Sequence, residues 1–227
     1  MKILGVATDE TVADLTPRVR NMCRSFQKAG VMTTASIIDS AGFSEGIVTG
    51  LQALGSAFFK PNVLFLKRPE AVEHHDELAH IMREAKRLRI GTILLGYHPS
   101  AGFGRQKVIN LWLSPRPAGQ SLRTYLDQTN QNLAILSALR VARAWQAELN
   151  LITVIGPHTD ASLTKRGLEE LRDLCRIPER AQAHVLVGEL RSVLGAAVPA
   201  DLEIFGLSHD HPLALMGTPV RDTRATC

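Results

Sequence analysis

The chain has 227 residues, of which 45% are hydrophobic and 21% charged, and its formal net charge is +4. This ordinary globular composition excludes collagen-like, coiled-coil and fully disordered proteins. No apolar run approaches the roughly 20 residues of a membrane-spanning helix, and the N-terminal apolar stretch is too short for a signal peptide. Because the cysteines (Cys23, Cys175 and Cys227) are few and far apart, they predict no disulfide framework and no zinc motif, and we expect a cytoplasmic protein.

Short apolar runs alternate with segments of helical periodicity along the chain. Most of these runs are continuously apolar, which is typical of strands buried on both faces of a parallel sheet. The repeated alternation predicts an α/β fold with mostly parallel sheets and right-handed crossovers. The predicted strands are residues 3–7, 34–38, 63–66, 92–95, 108–113, 149–155, 184–187 and 202–206.

Four helical segments are predicted between these strands. One covers residues 44–59 and is ended by Lys60 and Pro61, and a second carries apolar residues at helical spacing from Leu78 to Leu88. A third carries Leu168, Leu171 and Leu174. The longest, residues 124–149, contains no glycine or proline. The basic cluster at residues 83–89 lies on the second helix and is interpreted as a solvated face, so we expect no nucleic-acid binding.

Residues 96–104 are rich in turn formers and divide the predicted strands into two groups of four. We therefore expect an N-terminal α/β lobe at residues 1–104 and a C-terminal α/β lobe at residues 105–227. The glycine pair Gly102 and Gly104 resembles a phosphate loop only superficially, because Lys107 occupies the third glycine position and a strand follows. We interpret this segment as a connector.

Two histidine patches are candidate metal sites. His74 and His80 are six residues apart and point to diverging helix faces, whereas His209 and His211 follow a predicted strand, where they could converge with Asp210. The simpler interpretation is a helix start for the first patch and a solvated loop for the second. The chain has no nucleophile elbow, and Cys23 has no histidine nearby in sequence to act as a base. Cys175 lies on the apolar face of its predicted helix. We predict no catalytic, cofactor-binding or metal-ligating residue and no cofactor.

Three stretches resemble a known family. Gly50-Leu51-Gln52-Ala53-Leu54-Gly55 runs into Lys60-Pro61-Asn62-Val63-Leu64-Phe65-Leu66, Lys107-Val108-Ile109-Asn110-Leu111-Trp112-Leu113 follows, and Ala200-Asp201-Leu202-Glu203-Ile204-Phe205-Gly206-Leu207 closes the series. In order and spacing they are similar to the cytoplasmic C-terminal domain of prokaryotic cation-chloride cotransporters (the Na-K-Cl cotransporter and amino acid permease-like family). Residues 132–155 are similar to that family's long helix and the strand after it.

This resemblance implies two universal-stress-protein-like lobes and a non-catalytic role in regulation and assembly. It places the chain in the cytoplasm, as the soluble part of a transporter of the plasma (inner) membrane. The partners that it implies are a second copy in a homodimer and the membrane domain of the same transporter, with no nucleic acid and no small-molecule substrate bound by this chain. Two alternatives are a nucleotide-binding universal-stress-type protein and a metal-dependent enzyme using His209, Asp210 and His211.

The nucleotide alternative requires a glycine-rich loop after a strand. After the strand at residues 92–95 the chain continues Gly96-Tyr97-His98-Pro99, and after residues 202–205 it continues Gly206-Leu207-Ser208-His209. Neither has the second glycine that would let backbone amides surround a phosphate. We therefore expect no useful affinity for ATP or AMP.

Overall fold

A computed structural model describes residues 1–69, 74–97, 100–117, 119–129, 131–206, 214–215 and 218–219. The chain forms two compact units, Met1–Gly96 and Tyr97–Cys227. All eight strands predicted from the sequence are present, within two residues of the expected bounds, and they pair in parallel. The α/β class with two lobes is thereby confirmed, although strand pairing differs between the units.

The first unit is built from two parallel strand pairs, β1 with β2 and β3 with β4. Helix α1 packs Leu15 and Val19 against Ala7 of β1, whereas α2 and α3 form a second core around Ile47 and Ile81. The elements are β1 (Lys2–Ala7), α1 (Val12–Lys28), β2 (Thr34–Asp39), α2 (Phe43–Gly55), β3 (Val63–Lys67), α3 (His75–Arg87) and β4 (Gly91–Leu95).

Close packing of α2 on β1 accounts for two of its glycines. A Cβ atom at Gly46 would overlap the Val6 side chain, and one at Gly50 would overlap Leu4. The helix ends at Gly55, not at residue 59 as predicted. Ser56 caps it, and the Ser56 hydroxyl donates a hydrogen bond to the Ala53 carbonyl at 2.8 Å. The apolar spacing that extends to Phe58 is therefore not part of the helix.

The second unit contains a four-stranded parallel sheet in the order β7-β6-β5-β8. A turn of 3-10 helix at Leu194–Ala196 follows α7, and two short strands, β9 and β10, pair antiparallel. The elements are β5 (Val108–Leu113), α4 (Leu122–Gln128), α5 (Gln131–Trp145), β6 (Glu148–Ile155), α6 (Ala161–Leu174), β7 (Gln182–Val187), α7 (Leu190–Val193), β8 (Leu202–Phe205), β9 (Ala214–Leu215) and β10 (Thr218–Pro219).

The strand order determines which helices cover each face of this sheet. The chain moves outward from β5 to β7 through α5 and α6, and both helices pack on the face that carries Leu111 and Leu151. It then returns across the sheet to β8, so α7 covers the opposite face, where Trp112 and Ile152 are buried. The direction of winding reverses between β5 and β8, which is the topological switch point of this fold.

The single helix predicted over residues 124–149 is wrong. Thr129 has extended backbone angles and ends α4, while its hydroxyl donates to the Tyr125 carbonyl at 2.8 Å. The Asn132 amide donates to the Leu126 carbonyl at 3.0 Å, so side chains satisfy the carbonyls that a continuous helix would use. Helix α5 ends at Trp145, because Gln146 has a positive φ of 53°.

Four helices end in the same hydrogen-bonding pattern. A residue with positive φ follows the helix, and the backbone amide of the next residue donates to a carbonyl in the last helical turn. The positive-φ residue is Gly30 after α1, but Arg89, Gln146 and Arg176 occupy the same position after α3, α5 and α6. An L-residue with a side chain is strained there, whereas glycine is not.

We expect Gln146→Gly to raise the free energy of unfolding by about 0.5–1 kcal/mol, because relief of the left-handed strain exceeds the entropy cost of glycine. The matched control is Gly30→Ala, which introduces a Cβ atom into open space at a φ of +79° and should lower stability by a similar amount. Urea unfolding at equilibrium measures both. Equal signs for the two variants would contradict the assignment of strain to these positions.

Candidate functional site

Ligands of open α/β sheets bind at the carboxyl ends of the strands that flank the switch point. In the second unit this position lies beyond β5 and β8, between Ser114 and Gly206. The side chain of Gln131, the first residue of α5, is 4% exposed and lies there. Its Nε2 donates to Ser114 Oγ at 3.2 Å, and a Cβ atom added to Gly206 would lie 3.0 Å from that nitrogen.

Tyr125 packs against the same strand end from α4. Its hydroxyl donates to the Ser114 carbonyl at 2.6 Å, and burial raises the pKa of this phenol, so it remains a neutral donor. The side chains of Gln131 and Tyr125 therefore fill the switch-point crevice. Sequence reasoning did not identify either residue.

The expectation that ATP and AMP do not bind remains a prediction, and Gln131 adds a physical reason to the missing glycines. Titration calorimetry of each nucleotide, with magnesium present, should give no binding heat. The Gln131→Gly variant is the informative control, because removal of the side chain opens the crevice without restoring a phosphate loop. A dissociation constant in the low micromolar range for the native chain would contradict the prediction.

The segment around Gly102 and Gly104 connects to β5, as predicted for a connector. Both glycines have positive φ, and the backbone amides that follow are bound by Asp201. The Asp201 carboxylate accepts hydrogen bonds from the amides of Lys107 at 2.8 Å, Arg105 at 2.8 Å and Val108 at 3.0 Å. These bonds hold the pKa of Asp201 below its ordinary value. The amides that could bind a phosphate therefore already have an anionic partner.

The first histidine patch lies at the start of α3. His74 is the capping residue, its Nδ1 is 3.1 Å from Glu77 Oε2, and His80 is exposed on the helix. Among the described residues, no group of three or more histidine, cysteine or acidic side chains could hold a metal ion. The patch at His209, Asp210 and His211 lies outside the described residues.

The cysteines occupy packing positions in the two units. Cys23 is buried on α1, and Cys175 follows the last residue of α6. Burial raises the pKa of the Cys175 thiol, which disfavours the reactive thiolate. Cys227 lies outside the described residues.

A row of polar side chains crosses the sheet beneath α7, and we call Glu203, Asn110 and Asn150 the polar row. The three residues are register partners on adjacent strands. Asn150 Nδ2 donates to Asn110 Oδ1 at 2.9 Å, and Asn110 Nδ2 donates to Glu203 Oε1 at 3.0 Å and to the Val198 carbonyl at 2.7 Å. Trp112 Nε1 donates to the other oxygen of Glu203.

Desolvation dominates the electrostatics of the polar row. Burial raises the pKa of Glu203, and the hydrogen bonds from Trp112 and Asn110 offset this only in part. Every donor of the row points at an acceptor within the same unit, so the row ties β8 and the segment before it to the centre of the sheet. We interpret this arrangement as structural, because its hydrogen bonds join residues of neighbouring strands within the same unit.

The geometry defines a two-unit parallel α/β protein whose switch-point crevice in the second unit is filled by protein. Two family models match the chain, those of the first and the second C-terminal domain of prokaryotic cation-chloride cotransporters, at residues 1–103 and 104–227. The chain belongs to this family, and the resemblance inferred from its motifs is confirmed.

Two solved structures are informative relatives. The cytoplasmic domain of a prokaryotic cation chloride cotransporter is 31% identical with a TM-score of 0.78, and the match covers 99% of this chain and 79% of that one. A putative universal stress protein from Pseudomonas aeruginosa is 11% identical with a TM-score of 0.56, covering 86% and 66%, and shows likeness of fold alone. No curated protein matches significantly.

The family and its solved relative assign the chain to the cytoplasm. Across the described residues, no helix combines the length and the apolar character needed to cross a membrane.

Proposed function

We propose that the chain is the non-catalytic regulatory and assembly domain of a cation-chloride cotransporter, and that it pairs with a second copy and contacts the membrane domain of the same transporter. Family membership supports this proposal, as does the filled switch-point crevice. We further propose residues 1–104 and 105–227 as its two domains. In support, the two family models divide the chain between residues 103 and 104, and the Asp201 carboxylate binds the amides of Arg105, Lys107 and Val108 at the start of the second domain.

The observation that carries the assembly role is a set of exposed apolar side chains in the first unit, Phe58 with Phe59 before β3 and Val63 with Phe65 on β3, which we call the phenylalanine surface. Phe58 and Phe59 are 93% and 68% exposed and pack against each other edge to face at 4.8 Å. On β3, Leu64 and Leu66 pack toward α2 and α3, so the alternate residues point away from this core, and Phe65 is 60% exposed. Exposed apolar side chains that lie together mark interaction surfaces, and the edge-to-face pair of Phe58 and Phe59 is of this kind.

A second copy of the chain is the partner that we propose for the phenylalanine surface, because two-fold dimers are the commonest homo-oligomers and bury the same patch on both copies. Sheet edges and the helical stretch over residues 124–149, which is α4 and α5 in the structure, are the other surfaces that could pair. In the structure, α5 directs most of its apolar residues into the core, and only Leu136 is largely exposed, at 60%. The surface on the first unit is therefore the stronger candidate.

We expect sedimentation over a concentration series to about 100 micromolar to show a monomer–dimer equilibrium. Dimerisation of the isolated chain should be weak, because it lacks the higher effective concentration that a membrane part would provide in a full transporter. Phe58→Ser with Phe65→Ser should shift the equilibrium toward monomer by at least about tenfold. Both side chains are exposed, so the fold should lose no more than about 0.5 kcal/mol per site.

The matched control is Leu163→Ser, which removes a 53% exposed apolar side chain from α6 in the other unit. It should leave the dimerisation constant unchanged. A single monomeric species throughout the series would contradict dimerisation of the isolated chain. Dissociation by Leu163→Ser alone would instead contradict the assignment to the phenylalanine surface.

A further inference from the structure

A groove of about 450 Å³ lies between the C-terminal ends of α5 and α6 in the second unit. Its lining includes Leu139, Leu149 and Ala181, which provide an apolar surface. Arginines from two places surround it: two come from the last turns of α5, and two follow α6. We call it the arginine groove, after Arg140, Arg143, Arg176 and Arg180.

The charge of the arginine groove is not compensated locally. No acidic residue lines it, and within the described part of the chain none of the four arginines makes an ion pair. The adjacent Arg172, by contrast, contacts Asp173 at 3.3 Å. Two helix C-termini carry roughly half a negative charge each, which four guanidinium groups exceed. Glu148 and Glu179 are close in sequence, but neither lines the groove.

Exposed leucines accompany these arginines. Leu136 lies one helical turn before Arg140, lines the groove and is 60% exposed. Leu174 precedes the lining residue Cys175 and is 58% exposed. Arginine beside exposed leucine is typical of surfaces that lie at the headgroup level of a membrane, where the side chain meets phosphate and hydrocarbon together.

We infer that the arginine groove docks on an anionic phospholipid surface, with headgroup phosphates on the four arginines and Leu136 and Leu174 against the upper hydrocarbon. Charge complementarity supports this partner, and family membership places a bilayer beside the domain. A soluble phosphate compound fits less well, because the groove lies at helix C-termini and offers no N-terminal backbone amides. The inference rests on family membership and not on the proposed dimer.

The test is flotation of the full chain with vesicles of phosphatidylcholine, with or without about 30% phosphatidylglycerol. We expect binding to the anionic vesicles alone, weakening with added salt because surface charges are screened. The variant Arg140→Gln, Arg143→Gln, Arg176→Gln and Arg180→Gln should lose at least about tenfold in partition coefficient. Leu136→Ser with Leu174→Ser should reduce the fraction that remains bound at high salt.

Two control variants distinguish binding at the arginine groove from general attraction between a basic protein and anionic lipid. The variant Arg20→Gln, Arg24→Gln, Arg83→Gln and Arg166→Gln removes four exposed arginines elsewhere, so its net charge matches, and it should bind like the native chain. Replacing the four groove arginines by lysine should retain vesicle binding, since a lipid surface accepts point charges, whereas a site for bidentate anions would not. Circular dichroism confirms that each variant is folded.

Several outcomes would overturn the inference. These are an absence of binding to anionic vesicles, an equal loss in both glutamine variants, or failure of the lysine variant to bind. Millimolar inorganic phosphate should reduce binding no more than a chloride salt of the same ionic strength. Displacement beyond that would identify a soluble phosphate site in place of a lipid surface.

Discussion

Trp112→Ala is expected to lower the free energy of unfolding of the second unit by about 3–5 kcal/mol, the range for removal of a large aromatic side chain from a core. Trp112 is 0% exposed on the central strand β5. It stacks on Phe205 of β8 with ring centroids 5.4 Å apart, and its Nε1 donates to Glu203. The substitution therefore creates a cavity and also removes a donor from a half-buried carboxylate.

The matched control is Trp145→Ala at the end of α5. Trp145 is partly buried and packs edge to face on Phe103 at 5.7 Å, so its loss leaves a hole that opens to water. We expect a cost of about 1–2 kcal/mol, well below that of Trp112→Ala. Urea unfolding followed by far-UV circular dichroism compares the two. A similar cost for both tryptophans would show that α7 does not seal this face of the sheet.

The strands could be predicted from sequence because their signal is local. The run that forms β5, Val108–Leu113, is buried almost throughout, and a strand covered on both faces is apolar at nearly every position. The motifs that carry the family resemblance lie largely on these strands. Both the fold class and the family were therefore accessible before any tertiary contact was known.

The helix bounds and the interior contacts depend on tertiary or side-chain hydrogen bonds that periodicity does not encode. Thr129 ends α4 through its own backbone angles and its hydroxyl bond to Tyr125, although the apolar spacing continues past it. The carboxylate of Asp201 binds amides more than ninety residues away in sequence, the closest pair being Asp201 and Val108, 93 positions apart. No local sequence pattern could predict these long-range hydrogen bonds.

Part of the polar row could have been predicted from the sequence. Asn110 interrupts the apolar run of β5, and Asn150 interrupts that of β6, in each case two residues after the first residue of the strand. Two asparagines at equivalent depths in neighbouring parallel strands predict a side-chain hydrogen bond between them, since an unpaired amide in a core is costly. The register confirms that they are partners.

Asn110→Leu is expected to lower the free energy of unfolding by about 3–5 kcal/mol, because it removes one side-chain amide and leaves the hydrogen-bond partners of that amide unpaired. The Nδ2 of Asn150 loses its acceptor, the Val198 carbonyl loses its donor, and Glu203 keeps only the bond from Trp112. Adding Asn150→Leu to this variant removes the orphaned amide. The double variant should therefore be more stable than the single one, by about 1–2 kcal/mol. Urea unfolding of both variants measures this difference.

The pH dependence of the same variants tests the role of Glu203. Burial raises the pKa of this carboxyl above its ordinary value of 4.5, so the folded state binds the proton more tightly than the unfolded chain. Stability from this group is present below pH 4.5 and is lost as pH rises through the raised pKa.

Because Asn110→Leu removes a hydrogen-bond donor to the charged form of Glu203, the loss of stability that it causes should be larger at about pH 8 than at about pH 5. Asp201, whose pKa is lowered from 3.8, titrates below this window and does not contribute. An equal cost at both pH values would contradict a charged Glu203 held by Asn110, and would leave the bonds of Asn110 to Asn150 and Val198 as the source of that cost.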